Sequence, residues 1–359
     1  MGCALFPVLD HSASPRVRRE QAAPPPDPNS AGPPDLAKTP LRDLGLTIAG
    51  TPLEAVVNDF RAELHAAGIT HVRPHFYLST EWGVPFGTVS IAIPFYLARP
   101  DLTRLHAERG GLVEGATPPA VLRYLRHEMG HVVNYAYRLY ERPEWAKLFG
   151  DINRPYEEEY RPRPFSRDYV EHLPGWYAQK HTDEDWAETF AVWMTPSLDW
   201  RSRYAGWPAL KKLEYCDRTM AELRARPPLA AEEDPDEDVG GLALTLDEFY
   251  HAEAGEGAEP PVDADAALDA VFEHAGRPPD ARPAAELIGR VEHAIGAEVF
   301  RWTGYFPERT RRLLRRLAER ARQRGLTYAA DEEASAAVAL ASYATAYALH
   351  RMQDGAFAG

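Results

Sequence analysis

The sequence predicts an α+β fold, with a small sheet and several helices in one domain and a mainly helical region after it. Three observations carry the prediction. Two short runs rich in β-branched and aromatic residues, 70–80 and 88–97, lie close together. Longer segments with apolar residues at i, i+3/4 and i+7 follow them. After residue 226 the composition breaks into a dense acidic run, and the remaining 95 or so residues read as helical periodicity alone.

The chain has 359 residues, enough for two domains. It is 45% hydrophobic with a formal net charge of -14. That excess of negative charge argues against general affinity for nucleic acid or anionic membranes. No apolar run approaches a membrane span, and the first ten residues lack the basic start of a signal peptide. The two cysteines, Cys3 and Cys216, do not make a disulfide framework. A reducing, cytoplasmic setting is expected.

Residues 1–42 read as a disordered Pro-rich extension. Pro24-Pro25-Pro26 and Gly32-Pro33-Pro34 break any helix or central strand, and the basic Arg16, Arg18 and Arg19 read as solvated. Residues 43–226 form the first domain. Helix 52–67 has Leu53, Val56, Val57, Phe60 and Leu64 on one face, with Thr51 at the N-cap and Pro52 at N1. The two strands follow, with 82–87 as the turn between them and Pro94 marking an edge or a strand end. A short helix over 101–107 ends at Gly110-Gly111.

The central helix runs from 118 to about 140. Val121, Leu122, Leu125, Met129, Val132 and Ala136 form its apolar stripe. His127 and His131 are one turn apart, so both imidazoles project from one face, and Glu128 lies beside them. This H-E-x-x-H spacing is the arrangement of zinc hydrolases: the histidines hold the metal and the glutamate moves protons. Thirteen histidines in the chain make a chance occurrence conceivable, and a buried helix can carry two structural histidines.

Residues 141–175 are rich in Pro, Arg and Tyr without periodicity, and are expected to be an ordered irregular loop over part of the site. Helix 182–195 begins with Thr182 as N-cap and three acids in its first turn. Glu184 and Glu188 share one face with Ala187 and Ala191, which suits close approach to another helix. A further helix covers about 208–223. Residues 227–264 form an acidic Pro/Gly-rich linker in which 242–251 docks as a short helix. The C-terminal region, 265–359, holds helices over 266–273, 284–300, 307–324 and 332–352. The third of these is strongly basic. It reads as a solvated face, with an acidic partner or the acidic linker as the other options.

A catalytic zinc takes three protein ligands and keeps one position for water. The metzincin pattern would place Gly at 134 and His at 137; the chain has Asn134 and Tyr137. The remaining third-ligand candidates are Glu184, Asp185, Glu188, His172 and His181.

Tyr177-Ala178, then Glu184-Asp185-Trp186-Ala187-Glu188-Thr189-Phe190-Ala191, downstream of H-E-x-G-H, resembles the bacterial zinc-binding metallopeptidases of the gluzincin type. More distantly it is similar to the catalytic domain of anthrax lethal factor and to the Mlc titration factor peptidases. The resemblance covers about 46–225 and implies a zincin-like domain. It implies one zinc ion held by His127, His131 and Glu184, with Glu188 supporting a ligand histidine and Glu128 as general base. Tyr177, seven residues before Glu184, would donate a hydrogen bond to the developing oxyanion. A peptide or protein substrate follows, and the C-terminal helices are a candidate surface for a protein partner. The alternative is a regulatory or interaction protein of the same fold that binds zinc without general peptidase activity. A metal-free interaction module is a further rival.

Overall fold

The computed structural model describes residues 36–109, 113–156, 160–255, 263–272 and 280–354. Most of the expected N-terminal extension, Cys3, the basic cluster at 16–19 and Gly110-Gly111 lie outside the described residues. At Leu36–Lys38 and Leu41–Leu44 the chain forms two 3-10 turns, and Leu41 is buried.

Helix α1, Pro52–Ala66, starts at Thr51 with Pro52 at N1 and buries Leu53, Val56, Val57, Phe60 and Leu64. Strands β1, His75–Ser79, and β2, Ser90–Pro94, are shorter than the runs that predicted them. They pair in parallel, with His75 opposite Ser90 and Ser79 opposite Pro94. The linking segment is therefore not a simple turn. Its Gly83 carbonyl accepts the Ala92 N–H at 2.8 Å in an antiparallel bridge, so the chain first lies along β2 before entering it. Pro94 ends β2, as its missing N–H requires. Helix α2 follows at Pro100–Arg109.

The central helix α3, Pro118–Ala136, begins at Thr117, whose hydroxyl accepts the Ala120 N–H. It stops four residues earlier than the periodicity suggested. Arg138 adopts a left-handed conformation, φ 48°, and a 3-10 turn at Leu139–Glu141 replaces the last helical turn. The carbonyl of Ala136 at the helix end accepts the N–H groups of Leu229 and Ala230. A short helix, α4 at Pro143–Phe149, occupies the start of the stretch expected to be irregular.

Helix α5, Thr182–Met194, crosses α3 in direct contact. Gly130 makes this crossing feasible: a Cβ there would lie 2.7 Å from the Ala187 Cα. The small residues of α5 thus meet the one glycine of the metal-motif helix. Trp186 fastens the crossing by donating its indole N–H to the Gly130 carbonyl at 2.7 Å. The N-cap of α5 is His181 rather than Thr182; its Nδ1 accepts the Asp183 N–H, while the Thr182 hydroxyl donates to the Asp151 carbonyl.

The one-turn helix α6, Trp200–Arg203, and α7, Leu210–Leu223, complete this part of the chain. The acidic segment then runs along the sheet. Val239 donates its N–H to the Leu78 carbonyl, and Val89 donates to the Glu232 carbonyl. Helix α8, Leu246–Gly255, places Leu246, Phe249 and Tyr250 in the same apolar core as α1, β2 and α3.

The second core lies among α9, Ala264–Phe272, α10, Ala284–Thr303, α11, Pro307–Arg324, and α12, Glu333–Asp354. A short antiparallel pair, β3 at Arg282–Pro283 and β4 at Thr327–Tyr328, joins them. The basic face of α11 is not simply solvated. Arg320 and Arg324 pair with Asp265, and Arg324 also with Asp269, both on α9. Buried Arg311 approaches Glu292 on α10 and donates to the Ala107 carbonyl in the last turn of α2. No helix among the described residues is long and apolar enough to cross a membrane.

Candidate metal centre

The α3–α5 crossing carries the site. One face of α3 supplies His127 and His131, and the facing side of α5 supplies Asp183, Glu184 and Glu188. All five are buried. Five ionisable side chains can share a dry interface only if each has a partner, and the pairing is specific.

The Nδ1 atoms of the two histidines point to different carboxylates. His127 Nδ1 lies 2.8 Å from Glu188 Oε1, and His131 Nδ1 lies 2.9 Å from Asp183 Oδ2. Ionised carboxylates only accept, so each Nδ1 carries the hydrogen, and each neutral ring presents a lone pair at Nε2. The two carboxylates are themselves held. Glu188 Oε2 accepts the backbone N–H groups of His172 and Leu173, at 3.1 and 2.8 Å. Asp183 accepts from the Asn134 amide at 2.7 Å and from the Tyr135 hydroxyl.

The Nε2 atoms converge on the third carboxylate. His127 Nε2 and His131 Nε2 are 3.2 Å apart, and Glu184 Oε2 lies 3.0 and 3.3 Å from them. When both rings are neutral, with their hydrogens at Nδ1, this triangle consists of three acceptors and no donor. Such an arrangement is repulsive until a cation sits among them. A tetrahedral zinc with bonds of about 2.0–2.1 Å separates its ligands by roughly 3.3 Å, close to all three edges. The donor set therefore fits a zinc ion, and His127, His131 and Glu184 form a buried group that could hold a metal.

The electrostatics point the same way. Burial opposes charge on His127, but its hydrogen bonds to Glu184 and Glu188 outweigh burial and hold its pKa up at about 9. The site attracts positive charge, as proton or as metal. Glu128, also buried, has its pKa pushed up to about 7 by desolvation, against the pull of His127 and His131.

The other third-ligand candidates are engaged elsewhere. Asp185 pairs with Lys212 at 2.7 Å on the far side of α5. His172 approaches the Arg123 carbonyl through Nε2, and His181 approaches that of Arg154. Tyr177 stands beside the motif, its ring centroid 5.5 Å from that of His127. Four contributors escaped sequence reasoning. Asp183 looked like an ordinary acid of a helix N-terminus and Tyr156 like part of an irregular loop, and no local pattern gave Asn134 or Tyr135 a place in the site. Tyr156 donates to Glu184 Oε1 at 2.8 Å.

The sequence profile of the family described as "putative zinc-binding metallo-peptidase" matches residues 96–200, the stretch from the end of β2 to the start of α6. The match contains the whole candidate centre. No curated protein and no solved structure matches the chain. The more distant likeness to the lethal factor catalytic domain and the Mlc titration factor peptidases thus rests on the motif alone.

Proposed function

We propose that this chain is a zinc-dependent metallopeptidase-like hydrolase. The observation that carries the reading is the convergence of three lone pairs from His127, His131 and Glu184, with the buried carboxylate of Glu128 within electrostatic reach of all three. A structural zinc site is closed by four protein ligands; here three converge. Bound zinc would supply Lewis acidity, lowering the pKa of a water and polarising a carbonyl oxygen.

The chain's own residues do the rest. Glu188 and Asp183 keep both imidazoles in the tautomer that faces the centre, and add to their basicity. Glu128, with a pKa near 7, is matched to taking a proton from the attacking water and returning it to the leaving amine near neutral pH. Tyr177 donates a hydrogen bond to the oxygen on which charge develops. The matched family supports a peptide or protein substrate.

A second reading has one observation in its favour. Glu184 is 1% exposed, His127 2% and Glu128 5%, so little of the centre reaches solvent in this conformation. That suits a zinc-binding regulatory protein without general peptidase activity.

Zinc stoichiometry and cleavage of a pooled peptide library separate the two. The hydrolase reading expects one zinc per chain, lost in His127→Ala and Glu184→Ala, and cleavage abolished in Glu128→Gln with the zinc retained. Zinc binding without cleavage of any peptide would favour the regulatory protein. A wild type that takes up no zinc would remove both.

A further inference from the structure

Nothing in the local sequence marks Tyr156, which ends the stretch 150–156 after α4, where the chain forms no helix or strand. Its hydroxyl is 2.8 Å from Glu184 Oε1 and 3.3 Å from the Tyr177 hydroxyl. A phenol has one hydrogen, and a carboxylate can only accept. The Tyr156 hydrogen is therefore directed to Glu184, and the contact between the two phenols has Tyr177 as donor. Glu184 divides its two oxygens: Oε2 faces the imidazole pair, and Oε1 is held by Tyr156.

The phenol is well anchored. The His181 ring contacts the Arg154 carbonyl at 2.8 Å, and Thr182 donates to the Asp151 carbonyl at 3.1 Å. These contacts tie 151–154 to the start of α5, where Glu184 sits. The Tyr156 ring packs 5.3 Å from the His181 ring. The ammonium of Lys180, itself fully buried, lies 4.5 Å from the Tyr156 centroid and 5.5 Å from that of Tyr177. One cation thus steadies both rings.

Resting on the metal reading above, we propose that Tyr156 is a positioning residue with two tasks. It restricts Glu184 to one oxygen toward the metal, and it holds the Tyr177 hydroxyl until a substrate carbonyl oxygen takes that hydrogen bond. The lengths suit the division. The 2.8 Å bond to a carboxylate is a strong, charge-assisted one. The 3.3 Å contact between neutral hydroxyls is weak and is given up at little cost. Without the Tyr156 hydroxyl, Glu184 could turn to offer both oxygens, and Tyr177 would lose this contact.

The test is Tyr156→Phe in the full-length chain, with Tyr177→Phe as control. Zinc dissociation constants would come from competition with a chromophoric chelator. Cobalt(II) loaded into each protein reports coordination number, because four-coordinate cobalt absorbs visible light far more strongly than five- or six-coordinate cobalt. Metal-free thermal melts check that each variant folds. Tyr156→Phe should weaken zinc by roughly 10–100-fold and lower the cobalt band, while Tyr177→Phe leaves zinc within twofold of wild type. An unchanged zinc constant in Tyr156→Phe, or a weakened one with an unaltered cobalt spectrum, would overturn the assignment. Wild-type zinc binding lost in His131→Ala shows separately that the metal reading stands. A wild type that binds no zinc would sink both.

Discussion

Gly130→Ala is the most direct probe of how the fold builds the site. In an isolated helix the change would stabilise by about 0.8–1 kcal/mol through backbone entropy. Here the new Cβ would stand 2.7 Å from the Ala187 Cα, 3.1 Å from its carbonyl oxygen and 3.2 Å from its Cβ. Two of these three atoms are backbone, so no rotamer change relieves the clash. The helices α3 and α5 must part by at least about 0.7 Å to reach ordinary van der Waals contact. Overpacking of this kind costs about 1–3 kcal/mol, which outweighs the propensity gain in most of that range. The same displacement carries His127 and His131 away from Glu184 and opens edges that are now 3.0–3.3 Å long. Zinc affinity should therefore fall by roughly tenfold or more. Gly289→Ala on α10 is the matched control, since its Cβ would meet nothing within 4 Å. The assay is a pair of urea melts on metal-free protein plus chelator competition at a temperature where both variants are folded. Gly289→Ala should gain stability and leave zinc binding unchanged; Gly130→Ala should lose both. If Gly130→Ala is stabilised like the control and binds zinc as wild type does, the close crossing does not set the site's geometry.

Three further outcomes follow from the same contacts. Asp183→Asn and Glu188→Gln should each weaken zinc by about 10–100-fold, or about 1.4–2.7 kcal/mol, measured by chelator competition, because a neutral amide is a weaker acceptor for the Nδ1 hydrogen of the proposed ligand histidines and can turn its NH2 toward the ring instead. His172 is buried and its pKa is lowered to about 4 by desolvation, so its neutral form belongs to the folded state. Stability from this group is present above the unfolded value of about 6.5 and is lost as pH falls toward 4; the loss between pH 7 and 5 is roughly 2 kcal/mol. In His172→Gln the difference between urea midpoints at pH 7 and pH 5 should shrink accordingly, and an undiminished difference would assign the acid sensitivity elsewhere. Arg311→Met removes the buried guanidinium 3.5 Å from Glu292, which keeps Arg315 at 3.3 Å, and should cost about 1–3 kcal/mol in urea melts; the same cost measured in a Glu292→Met background would show that Arg311 acts through its bond to α2 instead.

The helices were legible because their signals are local. The stripe of α1, the Thr117-Pro118 start of α3 and the left-handed Gly304 and Gly325 after α10 and α11 each sit within a few residues of the element they define. The sheet was not. Two apolar runs joined by a glycine-containing segment read as neighbours, but their direction depends on the Gly83–Ala92 bridge, which no periodicity records. Helix α4 was hidden for a different reason: Pro143 is an N1 proline, a starting signal, yet it sits in a stretch crowded with prolines that do break structure.

The site divides along the same line. His127 and His131 are a local pair, so one helix turn suffices to bring them to one face. Glu184 and Glu188 are also a local pair, and for that reason local pattern cannot assign them different roles. The difference lies in what meets their second oxygens. Glu188 Oε2 receives two backbone N–H groups from His172 and Leu173, fifteen or so residues upstream, which turns Oε1 toward a ring Nδ1. Glu184 Oε1 receives a single phenol hydrogen from Tyr156, which turns Oε2 toward both Nε2 atoms. Both partners come from the segment that looked irregular in the sequence: it supplies a phenol from Tyr156, and its N–H groups at His172 and Leu173 are free for Glu188 because they are not committed to a helix or a sheet. A substitution that straightened this segment into regular structure would therefore withdraw the donors that separate a candidate ligand from its support.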